Sequence, residues 1–179
     1  MTEPIRFQCG TCNEWHQGLP HVAFAAPTPY LLLTEAERTA VASMTADTCS
    51  IGDEDFFVRG VIELPIRGRE EIWGIGVWVS LSRRNFERYI ELFRCANPQE
   101  GPYFGWLSNS IPLYPETGLL RTAVHLRPAP ARPAIILEPT DHPLAVHQRE
   151  GIPLHDVQRL VELSLHGERL AAPPGPGSL

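Results

Sequence analysis

The sequence predicts a single α+β domain over residues 1–169: an antiparallel sheet of about four to six strands, helices on one face, and an N-terminal Cys-x-x-Cys knuckle at 5–20. Three observations carry this. Two runs with strand periodicity, 56–66 and 71–81, are joined by the hairpin-sized linker Arg67-Gly68-Arg69-Glu70. The segment 82–95 places Phe86, Tyr89, Ile90 and Phe93 on one helical stripe. The 179 residues are 43% apolar and 20% charged, an ordinary globular balance, and no repeat or domain linker interrupts them. A direct hairpin and widely spread strands argue against a parallel doubly wound sheet.

The elements follow in order. Residues 5–9 read as a short strand, and 10–20 as a turn-rich knuckle ending in Gly18-Leu19-Pro20. Residues 26–30 read as extended, since each proline biases its predecessor away from the helix. Thr34-Glu35-Ala36-Glu37 has capping-box spacing and opens a helix over 35–44. Asp47-Thr48-Cys49 then leads into a polar turn at 52–55. In the first long strand Phe56, Val58, Ile62, Leu64 and Ile66 share a face. In the second, Trp73, Ile75, Val77, Val79 and Leu81 share one, and Gly74, Gly76, Trp78 and Ser80 the other. Glycines inside a strand point to a close neighbour against that backbone.

Ser82 caps the helix at 82–95, and Asn97-Pro98 ends it. Residues 101–116 read as a structured loop, and 119–127 and 134–138 as strands, the second bounded by Pro133 and Pro139. Two helices close the domain, over 143–149 and 154–166, with Gly167 as a stop. Residues 170–179 have the composition of a disordered Pro/Gly-rich tail.

Composition removes several function classes. Net charge is −6, which argues against nucleic acid or an anionic membrane as partner. All 15 basic residues are Arg. Without lysine there is no Schiff-base enzyme, no phosphate-loop lysine and no kinase-type lysine. Gly74-Ile75-Gly76 begins like a nucleotide loop, but Val79 stands where the third glycine belongs. No apolar stretch of signal-peptide length opens the chain and no run of 18 apolar residues follows, so a cytoplasmic protein is expected. Cys9, Cys12, Cys49 and Cys95 are then reduced thiols or metal ligands.

Cys9-x-x-Cys12-x-x-x-His16 is the most specific motif. Two thiolates at this spacing can bind one ion from the same side of a turn, and His16 can supply a third ligand. Cys49, in a loop before a strand, is the expected fourth. The expectation is therefore one structural zinc ion on Cys9, Cys12, Cys49 and His16, with His21 or His142 as substitutes for His16. The competing reading is buried thiols without a metal. A redox pair is disfavoured because no helix follows Cys12. Cys95 reads as a plain thiol.

Asp141-His142 has the residue types of general-base chemistry, but no nucleophile motif accompanies it, so Thr140 or Asp141 reads as the cap of the helix opened by Pro143. His147 and Glu150 read as a solvated helix face. Trp73, Trp78, Tyr103, Phe104, Trp106 and Tyr114 read as core, or else as the wall of a small-molecule pocket.

The segments CGTCNEWHQGLP, DTCSIGDEDFFVRGVIELPI, WGIGVWVSLS, YFGWLSN and TDHPLAVHQREGI, in this order, resemble an uncharacterised bacterial family, domain of unknown function 2199, over about 6–166. The resemblance implies no reaction, substrate or cofactor. It implies that Cys9, Cys12 and Cys49 belong to the family's pattern. The functional expectation is a non-catalytic protein with a structural zinc site that binds a protein partner, which its acidic balance would make basic. The alternatives are a metal-dependent or Asp141/His142-based hydrolase, and a small-molecule binder using the aromatic residues.

Overall fold

The longest alternating run of the sequence becomes the central hairpin. A computed structural model describes residues 5–167, so the segment 170–179 lies outside the described residues. In chain order the elements are strands β1 (Arg6–Gln8), β2 (Trp15–Gln17) and β3 (Val22–Ala23), then helices α1 (Thr28–Leu32) and α2 (Glu35–Val41). Strands β4 (Ala42–Met44), β5 (Thr48–Ile51), β6 (Asp55–Pro65) and β7 (Ile72–Leu81) follow, then helix α3 (Arg83–Leu92). Strands β8 (Tyr103–Leu107), β9 (Arg121–His125) and β10 (Ala134–Leu137) precede helices α4 (Pro143–Glu150) and α5 (Leu154–Leu165).

Among the described residues eight strands form one sheet in the order β3-β7-β8-β9-β10-β6-β5-β4, and because β6 also pairs with β7, five of them, β6 to β10, make a closed barrel. The sheet is therefore larger than the four to six strands expected. It is also mixed, since β10 runs parallel to β6 and β3 parallel to β7. Closure follows from strand length. β6 and β7 span 11 and 10 residues, so each edge is long enough to take two short partners in succession. β6 binds β5 at one end and β10 further along, while β7 binds β3 and then β8. Alternation in a sequence fixes which face is apolar, not which strand lies beside it.

The core lies inside this closure. Val58, Ile62, Leu64, Trp73, Ile75, Val77 and Val79 are fully buried with Leu107, Val124 and Ile135 of the returning strands. Helix α5 adds its stripe Val157, Leu160 and Val161, also fully buried. Helix α3 packs on β6 and β7, α4 on β6 and β10, and α5 on β3.

Several elements differ from expectation. The capping box forms: Thr34 Oγ1 accepts the Glu37 N–H, and the Thr34 N–H donates to Glu37 Oε2 at 2.8 Å. The helix it opens stops at Val41, and its last three expected residues become β4. Of the segment 26–30 expected to be extended, residues 28–30 are helical, because Pro29 sits in the first turn of α1, where its missing N–H costs nothing. The expected loop 101–116 contains β8. Helix α4 is capped neither by Thr140 nor by Asp141: His142 Nδ1 accepts the Leu144 N–H at 3.2 Å.

The glycine face of β7 has β3 as its neighbour. A Cβ on Gly76 would lie 2.8 Å from the Ala23 Cβ, and one on Gly74 would lie 2.9 Å from His21 Nδ1. Among the described residues no helix is long and apolar enough to cross a membrane.

Candidate metal centre

Strands β1 and β2 form a separate antiparallel ribbon with Phe7 opposite His16 and Gln8 opposite Trp15. The turn between them is tight. The Cys9 N–H donates to Glu14 O at 2.9 Å and the Asn13 N–H to Cys9 O at 3.0 Å. Asn13 takes a positive φ of 62°, a conformation that asparagine tolerates better than most residues. This turn holds Cys9 and Cys12 together, and the return of β2 brings His16 back to them. His16 Nε2 lies 3.3 Å from Cys12 Sγ.

The fourth member comes from the other end of the domain. His166 caps the C-terminus of α5, and its Nε2 lies 3.1 Å from Cys9 Sγ. Ligand atoms of Cys9, Cys12, His16 and His166 all lie within 4.8 Å of one another. A tetrahedral ion at ordinary zinc–sulfur and zinc–nitrogen distances separates its ligands by about 3.5 Å, so this group can hold one ion. Glu162 stands one turn before His166, on the same helix face. Its Oε1 accepts the Gly10 N–H at 2.8 Å and so docks α5 on the knuckle. The His16 and His166 rings meet edge to face at 5.6 Å, and Phe7 lies 5.6 Å from His16 on its other contact.

The electrostatics around Cys9 suit an anionic sulfur. Burial raises its thiol, but hydrogen bonds from the Cys12 and Thr11 backbone and from the Cys12 side chain outweigh burial and hold it below its ordinary value. The Thr11 N–H reaches Cys9 Sγ at 3.4 Å. Two sulfurs and two nitrogens are the number of donors that a tetrahedral ion takes.

Of the four expected ligands, Cys9, Cys12 and His16 come together and Cys49 does not. Cys49 lies on β5 opposite Met44 and Phe57, inside the apolar core. Burial pushes its thiol up to about 11, the opposite of a metal-ready thiolate. The two substitutes for His16 are engaged elsewhere. His21 Nδ1 accepts the Gly74 N–H at 2.6 Å, and His142 Nδ1 caps α4. The sequence does carry one sign of His166: it closes an amphipathic helix, just before Gly167 at φ 78°, four residues after Glu162. All four cysteines are free of disulfides, and Cys95 is half-buried.

The remaining readings also resolve. Asp141 is exposed, and the one hydrogen bond of the His142 imidazole among the described residues comes from the Leu144 N–H. His147, expected on a solvated face, is half-buried and pairs through Nδ1 with the Tyr114 hydroxyl at 2.9 Å. Trp73, Trp78 and Tyr103 are core, whereas Phe104 and Trp106 lie outward.

A five-stranded barrel with a Cys2His2 cluster joining its first turn to its last helix defines the class of this protein. The chain belongs to the family described as an uncharacterized protein conserved in bacteria (DUF2199), whose model matches residues 8–152. That span contains Cys9, Cys12, His16 and Cys49 and ends before His166. No curated protein and no solved structure matches the chain significantly.

Proposed function

We propose that this is a non-catalytic cytoplasmic protein in which Cys9, Cys12, His16 and His166 hold one structural zinc ion, and that it acts by binding another protein. One observation carries the metal reading: two sulfurs and two imidazole nitrogens within 4.8 Å of one another, drawn from the two ends of the domain. Mixed thiolate and imidazole donors in this number favour zinc over harder ions. Four protein donors also favour a structural over a catalytic role, since catalytic zinc keeps a position for water. The ion would join the knuckle to α5, so its binding energy would become folding energy. Thiolate ligands persist where thiols stay reduced, which supports the cytoplasm.

The protein-binding reading rests on what the site leaves out. The hydrolase alternative loses its base, because His142 Nδ1 caps α4. The pocket alternative loses half of its six aromatic residues, because Trp73, Trp78 and Tyr103 fill the core. The net charge of −6 favours a basic partner. The test of the metal site is metal analysis of protein purified without a polyhistidine tag. One zinc per chain is expected, with loss of most of it in Cys12→Ser. Metal-free wild-type protein, or full occupancy in Cys12→Ser, would overturn the reading.

A further inference from the structure

The outer face of the barrel carries an aromatic patch that neither the core nor the metal cluster uses. Residues of β8 alternate, with Tyr103, Gly105 and Leu107 buried and Phe104 and Trp106 outward. Phe104 is 46% exposed, Trp106 39%, and Ile136 on β10 43%. The two rings meet edge to face at 5.0 Å. Arg121 on β9 lays its guanidinium 5.3 Å from the Phe104 ring centre and 5.9 Å from that of Trp106. The same Arg121 lies 3.4 Å from the Glu138 carboxylate, and both side chains remain about half exposed. Beside the rings runs a groove of about 290 Å³ lined by Phe104, Ala123, Ile136 and Pro139, with Arg121 and Glu138 among its walls.

This patch is complementary to itself. It holds a projecting indole and an apolar groove, one cation and one anion. A two-fold interface demands this property, because each surface must meet its own image. Its charge also selects the occupant. The chain carries −6, so two copies repel at long range, and they meet most easily through a patch that is neutral. A basic partner would instead seek an excess of acid, which this patch lacks. Aromatic and Arg side chains at the centre of a patch are the residues that dominate binding energy in interfaces.

We propose that this face is the contact between two copies of the chain, with Trp106 of each copy in the groove of the other and Arg121 of each facing Glu138 of the other. The inference depends neither on the metal nor on a second protein species. Its test is the molar mass of the full chain in solution across a concentration series. A mass of 40.0 kDa, twice the 20.0 kDa of one chain, is expected. The double variant Phe104→Glu/Trp106→Glu should give 20.0 kDa with an unchanged melting temperature.

Charge exchange supplies the second arm. Arg121→Glu and Glu138→Arg should each be monomeric, since each pairs like with like across the axis. An equimolar mixture of these two variants should form a heterodimer, because both cross-axis pairs then become opposite in sign. A monomeric wild type, a dimer that persists in the double variant, or a mixture that stays monomeric would overturn the proposal. Should the double variant fail to fold, the mixture decides alone.

Discussion

Cys9 and Cys49 are both buried to 1% exposure, yet their sulfurs sit in opposite chemistry. Around Cys9, the backbone N–H groups of Cys12 and Thr11 and the Cys12 side chain outweigh burial and favour the thiolate. Around Cys49, apolar side chains favour the thiol. A thiolate is the metal-binding form, so the surroundings of Cys9 suit a ligand and those of Cys49 do not. Cys49→Ser should therefore keep its full zinc content and lose about 1–3 kcal/mol of stability, because a buried hydroxyl without a partner replaces a small apolar group. Metal analysis and urea titration of the same preparation check both halves. Zinc release in Cys49→Ser would return Cys49 to the ligand set. The knuckle itself was legible, because Cys9, Cys12 and His16 lie within one turn and one strand. The approach of His166 to the knuckle, and the distance of Cys49 from it, were not, because nothing local to either residue states what folds beside it.

At the scale of elements, β6 and β7 were readable because ten-residue alternation leaves one interpretation. Strands β3, β4 and β5 have two to four residues, too few for a period to show. Yet β3 explains the glycines of β7. Gly76→Val should destabilise the fold by about 1–3 kcal/mol, since its side chain would overpack Ala23 of β3. A melting temperature equal to or above that of the wild type would contradict the close approach. Helix α5 was readable from its stripe, and what its last residue does can be tested by length. A chain ending at Gly167 retains all four proposed donors and should keep its zinc. A chain ending at Leu165 lacks His166 and should lose the ion. Equal zinc in the two truncations would remove His166 from the site.

The whole molecule is closed twice. The barrel closes through the parallel pairing of β10 with β6, at Ala134 and Val61. The contact of Cys9 with His166 joins the two ends of the described chain, since these residues are 157 positions apart. Neither closure is written in a local pattern. Periodicity reports faces, and both closures are pairings between distant segments. Helices α3, α4 and α5, the two caps at Thr34 and Ser82, and the central hairpin were legible because their determinants lie within a few residues. A structural ion joining the knuckle to α5 is the central claim, and it requires a complete shell of protein donors. X-ray absorption at the zinc edge, on protein purified without a histidine tag, measures that shell directly. The account predicts two sulfur and two imidazole nitrogen scatterers with no water oxygen. A shell containing a water oxygen, or a third sulfur in place of an imidazole, would contradict it.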